Sequence, residues 1–235
     1  MGSFVLITCW SSKGGSGTTV VAAALAHLLA VDAGAALLVD LGGDLPAALG
    51  LPEPYEGLTS WTEGSDPNGL TLNRLAIEAG PGLRLVPRGP GPLADGSGVA
   101  LAAALAGQGA VVVDAGVLSA AGPGLELALA ASTSLLVLRP CFLALRRAVA
   151  APLRPSGVIL VDEPHRSLGP TDVESALGIP VVAVVPWDPA VARRVDAGLL
   201  GTGLPRTMAR ALERISLGSP LRSPWGRHRS DRRAG

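Results

Sequence analysis

Gly14, Gly15 and Gly17 stand between Lys13 and the pair Thr18-Thr19 in the stretch SSKGGSGTTVV, Ser11–Val21. Residues of these types can hold an anion. Glycines let a backbone approach a ligand closely, and free N–H groups at a helix N-terminus point at negative charge. The spacing approaches the phosphate-binding loop G-x-x-x-x-G-K-[ST]. Ser12 stands at its first glycine, Gly17 at its second, Thr18 at its lysine and Thr19 at its metal-binding hydroxyl. A charge is missing from the usual place, and Lys13 carries one where the pattern asks for none. A glycine turn between strand and helix in any doubly wound sheet looks similar, so the loop alone does not decide.

Lys13 is the only lysine among 19 basic residues; the other 18 are arginine. That exception favours a site needing a compact ammonium, because a planar guanidinium fits a narrow phosphate cradle poorly. Asp40 ends the run AALLVD and Asp114 ends the run AVVVD. Both are expected at the carboxyl edge of a sheet, where open α/β folds bind ligands. A carboxylate there can hold Mg²⁺ or orient an attacking water. Each aspartate taken singly also reads as a cap on the loop after a strand. His27 reads as a structural residue in mid-helix, Asp188-Pro189 as a helix cap, and Arg146-Arg147 as a solvated helix face.

The elements that must position these residues alternate in type. FVLITCW (Phe4–Trp10) is a continuous apolar run, as expected of a strand buried on both faces. A helix is expected from Thr18 to Asp32, ended by Gly34, and a strand over Ala35–Asp40. Residues 41–70 read as a long loop with one or two helical turns. Short strands are expected in LAIEAG and LRLVPRG, then a helix in VALAAALAGQG and a strand over Ala110–Asp114. Strand–helix pairs follow in STSLLVLRP with FLALRRAVAAPL, SGVILVD with Thr171–Leu177, and IPVVAVVPW with DPAVARRVDAG. A closing helix, LPRTMARALERISL, has Met208, Leu212 and Ile215 at helical spacing. The expected fold is three-layer α/β, a mostly parallel twisted sheet with helices on both faces.

Composition agrees. At 235 residues, 48% hydrophobic and 16% charged, the chain can bury one large core. Equal acid and base counts argue against nucleic acid as a ligand of the whole surface. Cys9 and Cys141 have no metal-ligand spacing and read as free thiols of a reducing cytoplasm. The opening residues lack the basic and cleavage regions of a signal peptide, and the longest uncharged apolar stretch is too short to span a bilayer. From Gly218 the chain carries five arginines, one acid and no apolar periodicity. The expected organisation is a domain over 1–217 and a basic disordered tail over 218–235. That tail leaves contact with anionic membrane or non-specific DNA open, beside a plain solubilising role.

The segments KGGSGTT, LLVDLGGDLPAALGL and VVVDAG, in this order, resemble the deviant Walker ATPases of the MinD/ParA group. The pattern is most similar to their CpaE/TadZ-like branch, found with pilus-assembly and secretion genes or called septum-site-determining proteins. The resemblance runs from the first strand to the closing helix. It implies a P-loop NTPase fold, ATP or ADP with Mg²⁺ as cofactor, and a face-to-face nucleotide-sandwich homodimer. It also implies a cytoplasmic protein, with a peripheral place at the membrane or cell pole, that serves a pilus, secretion or division apparatus.

By position, Lys13 matches the family's signature lysine, which serves phosphates in cis or in trans. Gly14, Gly15, Ser16, Gly17 and Thr18 match the cradle, Thr19 the Mg²⁺ ligand, Asp114 the Walker B carboxylate, and Asp40 the aspartate that activates water and stands near the metal. Asp44 matches a further acidic position. Three departures stand out. Thr18 replaces the lysine that neutralises β- and γ-phosphates, which implies slow or absent hydrolysis. Val161-Asp162 replaces an Asn-Arg pair near adenine. AGVLSAAG after Asp114 lacks the family's frequent Thr/Ser-Pro. A pseudo-ATPase scaffold and a DNA-partitioning ATPase remain alternatives; a metabolic ligase would need a lysine at Thr18.

Overall fold

The apolar run ahead of the glycine loop forms β1 (Val5–Ser11), with every residue after Val5 buried. The computed structural model describes residues 4–213 and 215. The last turn of the expected closing helix and the basic segment 218–235 lie outside the described residues.

Along the chain β1 is followed by α1 (Thr18–Ala33), β2 (Ala36–Asp40), α2 (Leu45–Leu49), α3 (Leu58–Glu63), α4 (Gly69–Arg74), β3 (Ile77–Gly80) and β4 (Leu83–Val86). Then come α5 (Ser97–Leu105), β5 (Ala110–Val117), α6 (Pro123–Ala130), β6 (Thr133–Leu138), α7 (Phe142–Val149) and β7 (Gly157–Asp162). The chain continues through α8 (Pro170–Leu177), β8 (Val181–Pro186), α9 (Pro189–Asp196), a 3₁₀ turn at Leu200–Thr202 and α10 (Arg206–Leu212).

The strands form one sheet in the order β3-β4-β2-β5-β1-β6-β7-β8. Every pairing is parallel except β3 with β4. Val-, Leu- and Ile-rich runs suit this centre because both faces are covered. From β1 the chain winds to β2 and β4 on one side, returns to β5, and then proceeds through β6 to β8 on the other. The carboxyl edge around β1 and β5 is therefore a topological switch point, where such sheets leave a crevice.

One face carries α1, α2, α9 and α10. Its cluster includes Ala22–Ala26, Leu29, Leu38, Val112, Met208 and Leu212. Alanines on α1 let the helix sit close to the sheet, so the position of its N-terminus is rigidly set. The opposite face packs Leu58, Trp61, Leu72, Leu105 and Leu127 of α3–α6 on one half of the sheet. Ala144, Ala148 and Val173 of α7 and α8 cover the other half. The expected three-layer α/β architecture is observed.

Local expectations differ at three places. Residues 41–70 hold two short helices, α2 and α3, and lead into a third, α4, which Asn68 caps through its side chain while Trp61 Nε1 of α3 donates to Asn68 O (3.2 Å) and Thr71 Oγ1 (3.0 Å). The strand expected to stop at Asp114 runs on to Val117, through a bulge against β1. Helix α6 has no counterpart in the sequence reading; its PGLELALA is too short to show a period.

Gly50 and Gly198 close α2 against the end of α9, both with positive φ (72° and 65°). A Cβ on Gly198 would stand 2.7 Å from Gly50 Cα, and one on Gly50 would collide with Gly198 O. Gly50→Ala is expected to cost ~2 kcal/mol or more, read as a lower denaturation midpoint; an unchanged midpoint would show that this contact does not hold α2 in place.

Candidate functional site

The glycine loop leaves β1 and closes on Gly17, whose φ of 90° makes it a left-handed N-cap for α1 without any side-chain cap. The first N–H groups of α1 are thus left for another acceptor. Gly15 is also left-handed (φ 75°), and Gly14 and Gly15 are exposed with open space above them. The loop is held from outside. Ser12 Oγ donates to Ala144 O of α7 (2.8 Å), and buried Ser16 Oγ donates to Lys13 O (2.7 Å). Thr18, at the lysine position, is buried and brings no charge to the loop. Lys13 Nζ makes only a 3.3 Å bond to Gly14 O, and among the described residues no carboxylate pairs with it. Its charge stays available.

Asp40 and Asp114 are register partners on the adjacent parallel strands β2 and β5, and both are fully buried. The Asp40 oxygens accept from the backbone N–H groups of Gly43 (2.7 Å) and Leu45 (3.2 Å), which fold the following loop back over the strand end. Asp114 Oδ1 accepts from Gly116 N (3.0 Å), whereas Oδ2 is buried without a partner. The Thr19 hydroxyl lies near enough to lower the Asp114 proton affinity. A Cβ on Gly42 would stand 3.7 Å from Asp40 Oδ1 and 3.8 Å from Asp114 Oδ2. The two carboxylates therefore face one small space beside Gly42, where a methyl would touch both at ordinary contact distance.

Burial dominates the electrostatics. It pushes the Asp40 carboxyl up to about 6, against the pull of the Gly43 and Leu45 amides and with the help of Asp114. Burial raises Asp114 as well, opposed by Thr19 and Gly116. Cys9, paired in register with Asp114, is buried and its thiol is raised by burial and by that carboxylate, so it stays protonated. Cys9 and Cys141 are both free, as expected.

The residues present fit a single Mg²⁺ in that space: an unpartnered buried carboxylate oxygen, a second carboxylate and a hydroxyl are the hard oxygen donors it takes. Among the described residues no cluster of three His, Cys, Asp or Glu side chains makes a ready cage. The remaining ligands of such an ion would be water and phosphate oxygens.

A cavity of about 240 Å³ opens beside the loop, from Gly17, Val20 and Val21 to Val161, Trp187 and the α9 residues Val191 and Val195. Val161, at the position where the sequence departs from an amide side chain, presents only methyls. Asp188 caps α9 through Ala190 N (2.8 Å) and accepts from Thr207 Oγ1 (2.8 Å), so the cap expected from the sequence is observed. Arg146 and Arg147 are exposed, as expected of a solvated face.

Sequence reasoning missed three contributors. Arg88 Nη1 donates to Gly42 O (2.9 Å), and its guanidinium lies 2.8 Å from where a Gly43 Cβ would be. It braces the loop that Asp40 folds. Trp187, 46% exposed, and Arg139 line the cavity. No local motif marks any of them; only the strand order brings β4, β6 and β8 ends to this edge.

A loop of bare amides ahead of a central helix, opposed by strand-end carboxylates across a switch point, makes this a P-loop NTPase fold of three-layer α/β type. Residues 7–200 match the CobQ/CobB/MinD/ParA nucleotide binding domain, and the chain belongs to that family. No curated protein matches the sequence. Among solved structures, the septum site-determining protein MinD complexed with Mg-ADP from Pyrococcus horikoshii is 20% identical with a TM-score of 0.71, covering 90% of this chain and 94% of that one. A ParA family ATPase from Chlorobium tepidum is 20% identical with a TM-score of 0.73, covering 89% and 96%. The MinC:MinD cell division protein complex of Aquifex aeolicus gives 19% identity and a TM-score of 0.71, covering 89% and 93%. At such identities the likeness establishes the fold.

The Asp40 shift sets a pH dependence with a definite sign. Below the ordinary value of 3.8 both folded and unfolded chains are protonated at this group. Between there and about 6 the folded chain keeps a proton that the unfolded chain has lost, so stability falls as pH rises; above about 6 the loss is complete. In chelator, the chain should be more stable near pH 5 than near pH 7.5 by on the order of 1 kcal/mol from Asp40, with Asp114 acting in the same direction. Asp40→Asn should shrink the difference in denaturant titrations. A flat or rising profile would contradict the assigned cause.

Proposed function

We propose that the chain binds a nucleoside triphosphate or diphosphate, ATP or ADP, with Mg²⁺ at the loop 12–19. It would act as a spatial positioning or assembly factor of the MinD/ParA kind, of the CpaE/TadZ type. The observation that carries this reading is the buried pair Asp40–Asp114, with Asp114 Oδ2 unpartnered, facing one gap beside a loop of free amides at the start of α1. A buried carboxylate oxygen without a donor costs stability, and a divalent cation supplies what it lacks.

The roles follow from position. Backbone N–H groups of Gly14, Gly15, Ser16, Gly17 and Thr18 receive phosphate oxygens, and the N-terminus of the buried helix α1 favours their charge. Asp114 and Thr19 hold the cation, and Asp40 adds charge to the same gap while its oxygens keep the loop 42–45 folded. Mg²⁺, when bound, supplies charge neutralisation for the phosphates. Asp40 is the group placed to orient water. Lys13, partly exposed and unpaired, adds the one mobile positive charge, within its own site or across to a second copy in a sandwich dimer.

Hydrolysis is slow or absent in this reading, because Thr18 brings no charge to the β- and γ-phosphates and such catalysis rests on placed charge. The domain spans 1–217, the segment 218–235 is a basic tail, and the protein is cytoplasmic, with anionic membrane, the cell pole or DNA as contacts of the tail. A pilus, secretion or division apparatus supplies its protein partners. Among the described residues no helix is long and apolar enough to cross a membrane. The absence of charge at Thr18 also favours a second reading, a scaffold that binds no nucleotide; exposed Arg146 and Arg147 are the observation that keeps DNA partitioning as a third.

In a thermal-denaturation assay, Mg–ATP and Mg–ADP should each raise the midpoint, with saturation at a hundred times Kd worth about 2.7 kcal/mol. Phosphate release should stay near background. Lys13→Ala should weaken binding or dimerisation on nucleotide addition. No shift with any nucleotide would favour the scaffold, and an unchanged Lys13→Ala variant would remove the role given to that lysine.

Trp187 and Val161 make an apolar slot without a side-chain amide, so base discrimination should be weak. ATP and GTP midpoints should differ little, and Trp187→Ala should lower both by a similar amount. A strong preference for one base would show that backbone groups of the slot read it.

A further inference from the structure

Arg139, the first residue after β6, lines the same cavity as Gly17 and Val161. Its side chain is 39% exposed, yet its Nε is buried and has no partner. Its Nη1 donates to Glu163 Oε1 (2.7 Å), and Glu163 is also held on its other oxygen by Arg166, through Nε (2.8 Å) and Nη2 (2.5 Å). Two guanidinium groups thus share one carboxylate. Arg166 alone satisfies the charge of Glu163, and a half-exposed ion pair is a weak tether. Within this trio one positive charge is in surplus, beside a cavity that begins at the glycine loop and that carries Asp188 and Asp196 on its α9 side.

On the nucleotide reading above, that surplus has a use. A nucleoside triphosphate with one Mg²⁺ keeps more than one net negative charge, and the loop offers only Lys13 because Thr18 is neutral. We infer that Arg139 is a phosphate-contacting residue of this chain: the exposed part of its guanidinium fork reaches bound phosphate oxygens from β6, supplying part of the charge that the loop lacks. Glu163 holds the guanidinium in reserve and competes with the ligand for it. A fork suits this position because it can give one N–H to phosphate while leaving another on Glu163. Nothing in the local sequence announces the role; the arginine comes to the cavity beside the loop only because β6 lies next to β1.

Calorimetric titration of the full chain with Mg–ADP, Mg–ATP and adenosine tests the inference, with melting of each variant without ligand as the check on folding. Arg139→Ala should bind both nucleotides about tenfold more weakly while its weak affinity for adenosine is unchanged. Glu163→Gln, which frees the guanidinium, should bind them at least as tightly as the unmodified chain. If the unmodified chain binds nucleotide and Arg139→Ala binds it equally, or loses adenosine in the same proportion, the inference is overturned and the nucleotide reading stands. If the unmodified chain binds no nucleotide, both fall. If Arg139→Ala does not fold, Arg139→Gln and Glu163→Gln decide, since opposite changes in affinity support the inference and parallel losses overturn it.

Discussion

Two carboxylates buried side by side on neighbouring strands are the constraint around which this molecule is arranged. Asp40 and Asp114 stand in register at the carboxyl edge, and water reaches neither. Burying a charge is costly unless hydrogen bonds or a counter-charge offset it. The surrounding backbone offsets only part. Gly43 and Leu45 turn their amides onto Asp40, Gly116 turns one onto Asp114, and one oxygen remains unserved. The glycines at 42, 43 and 116 are therefore consequences of the pair. Gly43 and Gly116 adopt positive φ so that an amide can point inward, and Gly42 leaves the gap between the carboxylates empty. Such a site suits a cation; without one, part of the cost is met by the raised proton affinity of both carboxyl groups.

The glycine loop has the complementary problem. It collects partial positive charge at the start of α1, a helix fixed by close alanine packing, and α1 has no side-chain cap of its own. Amide dipoles at a helix start are worth around 1 kcal/mol toward an anion, which orders phosphate without holding it tightly. In the proposed site the difference would come from Mg²⁺ and from side-chain cations. Lys13 is free, and Arg139 is half committed to Glu163. Neither occupies the lysine position of the loop, which Thr18 fills, so on the proposed reading charge here would favour residence of the anion more than its transfer.

Much of this was legible in the sequence because it rests on local pattern. Unbroken apolar runs marked the buried strands, the terminal Asp of two of them marked the carboxyl edge, and a lone lysine among arginines marked the loop. Asp188 was legible as a cap because Pro189 follows it. What escaped notice depends on pairs distant in the chain. Arg88 lies on Gly42, and Arg139 shares a cavity with Gly17, only because parallel order sets β4 next to β2 and β6 next to β1. Helix α6 escaped because eight residues give little period, and the helices of 41–70 because their stability comes from caps and from Trp61, not from an apolar stripe. The state of Asp40 was also unreadable: a strand-end aspartate looks the same in sequence whether solvent or a second carboxylate faces it.

The division between holding a phosphate and cleaving it follows from where charge can move. A cation inside the loop tracks negative charge as it shifts between the β- and γ-phosphates, which is what lowers a transfer barrier. A cation at the rim meets the same total charge before and after that shift, so it stabilises bound nucleotide and transition state alike. Uniform stabilisation of that kind raises affinity without raising rate. On the proposed reading, with Thr18 buried and neutral in the first turn of α1 and positive charge supplied by Lys13 and Arg139 instead, the site would favour long occupancy over turnover. In the proposed positioning or assembly role occupancy itself would be the signal, and the loop 40–45, tied to Asp40 on one side and to Arg88 on the other, would be the segment to transmit it.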